Sequence, residues 1–165
     1  MAQAYEVGIS SPHFALSGTT SIEAVSSTDA PSWPKPSLTS DGTEAFREAV
    51  RKEVDACVAQ KTLKAGCDLG TIPDKEKQQG WTMVDGTVEG SLADDTEKTL
   101  KTMKPKIDSM EPTSVEGPVI GTVDTTMSCT KGGQTGECEL FIGGSIGSPT
   151  VDMSEKTPTV DWGDE

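Results

Sequence analysis

The apolar positions along the chain change period twice, and those changes divide it into regions. Between residues 43 and 60, Phe46, Ala49, Val50, Val54, Cys57 and Val58 recur at three- and four-residue spacing, while Arg47, Glu48, Arg51, Lys52, Glu53 and Asp55 cover the other side. One apolar stripe against a charged remainder predicts an amphipathic helix over about 43–60 that buries one face. Asp41 followed by Glu44 has capping-box spacing, in which each side chain accepts an otherwise unpaired backbone N–H. Gly66 falls in the turn that follows.

Before this helix the period is two. Residues 5–9 alternate apolar with polar or small side chains, residues 20–25 do so more weakly, and together they predict an N-terminal β-hairpin within 1–26. Residues 27–42 carry Pro31, Pro34 and Pro36, which favour extended backbone and forbid a helix, so they read as a linker. Trp33 inside it is expected to dock on the domain surface, the alternative being part of a Pro-rich recognition segment.

After the helix the period returns to two. Residues 81–84 and 87–89 flank Asp85-Gly86 and predict a strand, or a hairpin turning at that dipeptide. Over 93–111, Leu100, Met103, Ile107 and Met110 keep helical spacing, but Pro105 interrupts it, which predicts a short helix or turn followed by a strand. The clearest hairpin comes next. Val119, Gly121, Val123, Thr125, Met127 and Cys129 share one strand face, and after a Gly-rich loop from Thr130 to Glu137, Cys138, Leu140, Ile142, Gly144 and Ile146 share one face of its return. Residues 157–162 predict a last strand before an acidic end at Asp161, Asp164 and Glu165. The predicted class is α+β, an antiparallel sheet packed on one main helix within a domain spanning 43–165, preceded by the N-terminal hairpin.

Composition narrows this picture. A hydrophobic fraction of 33% with 4% aromatics makes a thin core for 165 residues, one that depends on staples. The net charge of −13 repels phosphate backbones, so nucleic acid is excluded as a partner; its simplest role is a soluble, self-repelling surface, and the alternative is a surface for a basic partner or divalent cations. Four cysteines supply the staples. None lies in a Cys-x-x-Cys pair and His13 is the one histidine, which argues against zinc. Cys57 lies on the buried stripe ahead of Cys67, and Cys129 and Cys138 share the apolar face of the hairpin, where they are expected to sit opposite each other across the base of the loop. Cys57–Cys67 and Cys129–Cys138 are therefore the economical pairing among the three that four cysteines allow. Disulfides require an oxidising compartment, yet the chain shows neither a signal peptide nor an apolar run near 18 residues. The expectation is an extracytoplasmic ectodomain starting artificially at Met1, whose only tie to a membrane is an anchor further upstream.

No catalytic set stands out. His13 reads as a loop histidine with no partnered nucleophile, and Lys131-Gly132-Gly133 sits at a hairpin tip with no helix behind it to cradle phosphate. Asp94, Asp95 and Glu97 lack EF-hand spacing, and acidic residues favour a helix start in any case. No catalytic residue, cofactor or metal is predicted. The expected function is a non-enzymatic binding or envelope-structural domain whose partner is a protein or envelope component. The alternative is an NTF2-like enzyme or small-ligand binder with a pocket between helix and sheet lined by Phe46, Val50, Trp81 and Met127, for all of which packed core is the simpler role.

Residues 46–70, FREAVRKEVDACVAQKTLKAGCDLG, carry a resemblance. A helix ending in Cys, a short loop with Gly-Cys and a following Gly is similar to a region of uncharacterised actinobacterial single-pass membrane proteins. The Tyr5-x-Val7 strand and the Pro-containing linker ahead of the helix look like that group as well. Its loop more often reads Gly-Cys-Pro-Phe-Gly, where this chain has Gly66-Cys67-Asp68-Leu69-Gly70. The resemblance covers about the first 90 residues. It implies an extracytoplasmic domain behind a transmembrane helix, with no catalytic residues. A helix followed by an antiparallel sheet is also similar to the cystatin/NTF2-like arrangement, a likeness of fold alone.

Overall fold

The computed structural model describes residues 3–24, 33–67, 69–75, 79–140 and 144–163. Pro31, Asp68, Ile142, Asp164 and Glu165, named in the expectations above, and the last residue of the stretch 20–25 lie outside the described residues. The fold is mixed helix and strand, with every strand pair antiparallel and the strands divided among several sheets. That differs from the expected single sheet on one main helix.

Strand β1 (Gln3–Glu6) pairs with β3 (Ser21–Ala24), Tyr5 facing Ile22. Between them lies β2 (Phe14–Ser17), which pairs with β4 (Lys35–Leu38) and sets Pro36 opposite Leu16. The second half of the expected linker is thus a strand. Proline is accepted there because a two-stranded ribbon consists only of edges. Trp33 is not docked; it is 65% exposed.

Helix α1 (Ser40–Val58) starts earlier than its charge pattern suggested. Its N-cap is Thr39, whose hydroxyl accepts the Gly42 amide at 2.9 Å and donates to the carbonyls of Pro12 and His13. The Asp41–Glu44 capping box is therefore corrected to a threonine cap held by a distant segment. Gly42 makes this possible, since a Cβ there would run into the His13 carbonyl. The buried face carries Phe46, Val50, Val54 and Cys57, the stripe expected from spacing.

Strands β5 (Thr82–Met83) and β6 (Glu89–Leu92) precede helix α2 (Asp94–Thr102). Short strands β7 (Lys106–Ile107) and β8 (Ser114–Glu116) follow, as predicted for the stretch interrupted by Pro105. The long strand β9 (Gly121–Lys131) turns through Gly132 and Gly133, both at positive φ, into β10 (Gln134–Leu140). Then come β11 (Ser145–Ile146), β12 (Thr150–Asp152) and β13 (Thr159–Asp161).

β9 is the axis of the largest sheet. One flank pairs with β10 and, nearer its start, with β11; the other pairs with both β5 and β6. β5 and β6 consequently do not form a hairpin with each other. Residues 84–87 loop off β9 and rejoin it, with the Val84 amide on the Ser128 carbonyl at 2.9 Å and the Ser128 amide on the Thr87 hydroxyl at 3.0 Å. A second sheet runs in the order β13-β12-β8-β7.

The apolar interior is in two parts. The larger joins Phe46, Val50 and Val54 of α1 to Leu100 of α2 and to Val115, Val123, Ile146, Val151 and Met153. The smaller holds Met83, Val88, Met127 and Cys129, with Trp81, Cys138 and Leu140 against it. The composition implied a thin core, but its division into two parts is seen only in the structure.

Candidate functional site

Both disulfides are present. Cys57–Cys67 spans a Cα separation of 6.2 Å and pins the loop after α1 back to the helix. Cys129–Cys138 spans 5.9 Å across β9 and β10. The expected placement of the second pair needs one correction. Cys138 faces Met127 and Cys129 faces Gly136, so the bond crosses the ladder diagonally. All four sulfurs are staples, and Cys57, Cys67 and Cys129 are buried.

The four residues expected to line one pocket do not meet. Phe46 and Val50 are fully buried in the larger core, whereas Met127 lies in the smaller one with Trp81 packed against it. The cavity that does lie between α1 and the main sheet is an apolar space of about 40 Å³, bordered by Val58, Leu69, Ile72, Val88 and Leu140. It is water-sized, too small for a metabolite.

A broad depression, about 840 Å³ and open to solvent, runs along the charged side of α1 toward α2. Glu44, Arg47, Glu48, Arg51, Lys52 and Lys101 line it. Its two arginines are the chain's only ones, and both are occupied. Arg51 sends Nε to both carboxylate oxygens of Asp55 at 2.8 and 2.9 Å, and Nη1 and Nη2 to the two oxygens of Glu97 at 2.8 and 2.9 Å. Arg47 donates through Nε and Nη2 to the Met103 carbonyl at 3.0 and 2.8 Å, capping the C-terminal end of α2 where a cation is favoured. Hydrogen bonding to Glu97, then to Asp55, raises the Arg51 pKa, and the bond from Arg51 lowers that of Glu97. The arginines clamp α2 to α1 and leave the depression no bidentate fork for an anion.

Glu97 is thus drawn to Arg51, while Asp94 and Asp95 are exposed in the first turn of α2. Among the described residues no three His, Cys, Asp or Glu side chains gather as a metal-binding group. His13 is 8% exposed, and neither ring nitrogen has a hydrogen-bond partner among the described residues. It lies in the turn ahead of β2, as expected of a loop histidine, but its ring is buried rather than exposed. Lys131, Gly132 and Gly133 form the β9–β10 turn.

The outer face of the main sheet is polar throughout. Registry sets Glu89, Thr126 and Glu139 in one row, with Ser128 and Glu137 in the next and Ser91 and Asp124 on the other side. Period-two alternation made this face legible in sequence, but the lateral rows needed the registry. The Arg51–Glu97 link joins residues 46 positions apart, and no local spacing points to it. No helix among the described residues is long and apolar enough to cross a membrane. No protein-family model matches the chain, and neither a curated protein nor a solved structure matches it.

Proposed function

We propose that this chain is an extracytoplasmic binding or envelope-structural domain whose partner is basic. The observation that carries the reading is the pair of disulfides, which favour an oxidising compartment. Three further features support it. The actinobacterial ectodomain resemblance points to the same location. The net charge of −13 suits a cationic partner. The depression along α1 is shallow, and the arginines that line it are engaged within the fold.

Quantifying thiols in protein made under its native conditions tests the location. The expected result is no free thiol before reduction and four after denaturation with reductant. Four free thiols in the native protein overturn the extracytoplasmic reading.

A further inference from the structure

Among the described residues, β10 is the longest strand with a free side. Seven residues, Gln134–Leu140, pair with β9 on one side and with no strand on the other. The two-residue turn makes Lys131 and Gln134 the closing hydrogen-bonded pair, and alternation along the ladder then fixes which residues point outward. Thr135, Glu137 and Glu139 are the non-hydrogen-bonded partners of Thr130, Ser128 and Thr126, so their backbone N–H and C=O groups face away from β9. Ser128 corroborates this, since its own amide and carbonyl are turned to the opposite flank.

The side chains along this edge alternate in character. Thr135, Glu137 and Glu139 are exposed on the outer face, and neither glutamate has an ion-pair partner among the described residues. Cys138 and Leu140 lie on the inner face, half-buried at the rim of the smaller core. A strand laid along this edge would find carboxylates on one face and apolar surface to extend on the other.

We infer that the free edge of β10 is a docking strand for an extended, basic segment of a partner protein, alternating Lys or Arg with β-branched apolar residues. The inference rests on the binding reading above. Main-chain hydrogen bonds to Thr135, Glu137 and Glu139 supply the pairing, as in other cases of strand addition. Cationic side chains opposite Glu137 and Glu139 supply the selection. The same glutamates disfavour a second copy of this chain, because two-fold pairing about Glu137 sets it against its own mate.

The test uses the whole chain, labelled with nitrogen-15, and a synthetic decapeptide alternating lysine and valine, with an alternating glutamate–valine peptide as control. The expected result is that the lysine peptide slows amide hydrogen exchange at Thr135, Glu137 and Glu139, and the control does not. Glu137→Gln with Glu139→Gln should weaken binding about tenfold. Glu137→Pro removes an outward-facing amide while leaving the β9 ladder intact, and should abolish the protection at Thr135 and Glu139. Absence of binding at millimolar peptide overturns the inference. Binding without protection of these three amides also overturns it, by reducing the effect to surface charge. A protein that has both disulfides but leaves these amides unprotected keeps its proposed location and loses the docking strand.

Discussion

The hydroxyl of Thr96 on α2 donates to the carbonyl of Thr122 on β9 at 2.8 Å and accepts the Thr122 amide at 2.9 Å. One buried side chain, 1% exposed, thus closes a two-way bond that seats α2 on the start of the central strand. Gly121 sits beside it at φ +144°, and a Cβ there would run into the Thr96 hydroxyl.

This junction should be sensitive to small changes. Thr96→Val keeps the shape but removes the partner of the Thr122 amide and leaves the Thr122 carbonyl only the longer bond from the Ala93 amide at 3.4 Å, at a cost of about 1–3 kcal/mol in urea unfolding. Thr96→Ser should retain most of that stability. Gly121→Ala should cost about 1–3 kcal/mol from its backbone conformation alone, with the steric conflict added. A Thr96→Val protein as stable as the parent would show that the pair of bonds contributes nothing.

His13 offers a test of opposite sign. Its ring is buried with two polar nitrogens and no partner among the described residues, a desolvation without compensation. His13→Leu is expected to stabilise the protein by about 1–2 kcal/mol at neutral pH, measured by the denaturant midpoint. Destabilisation of the same size would reveal that bound water satisfies the ring.

The two disulfides close loops of nearly equal length, with sequence separations of 10 and 9. Chain entropy therefore assigns each about 3 kcal/mol. Cys57→Ala with Cys67→Ala, and Cys129→Ala with Cys138→Ala, should each lower Tm by roughly 6–12 °C. Their local effects should differ. The described residues of 60–75 contain no strand or helix, so loss of Cys57–Cys67 should open that loop to limited proteolysis, while loss of Cys129–Cys138 should leave it protected.

Acid should act through three carboxylates held below their ordinary pKa. The Arg51 hydrogen bond lowers Glu97, the Met110 and Glu111 amides lower Asp108, and the Ser154 amide lowers Asp152. Because the folded values are depressed, their stabilisation is present above the ordinary carboxylate range, about pH 4, and is lost as pH falls through the lower folded values. Stability measured by urea unfolding should decline below about pH 4. Asp108→Asn should flatten part of that decline, and a parallel decline in this variant would remove Asp108 from the account. Salt should weaken the Glu97 contribution, where a charge pair is screened.

The amphipathic stripe of α1, the pairing of β9 with its return and both disulfides were legible in the sequence because each depends on residues close along the chain. The hairpin's turn was not, since Gly132 and Gly133 turn within the loop expected over 130–137 and the return is divided between β10 and β11. Phe46, Val50, Val54 and Cys57 must share a face at 3.6 residues per turn, and nearby cysteines close the shortest loops. What distant segments do to one another was not legible. Thr39 caps α1 because Pro12 and His13 bring carbonyls to it, a choice that Asp41 and Glu44 cannot reveal. β5 and β6 pair with β9 rather than each other because its long flank offers a continuous row of backbone partners. Phe46 and Met127 share an apolar character that the sequence displays, but the lateral order of strands places them in separate cores. Periodicity determines which face of an element is buried; only the tertiary structure decides against what.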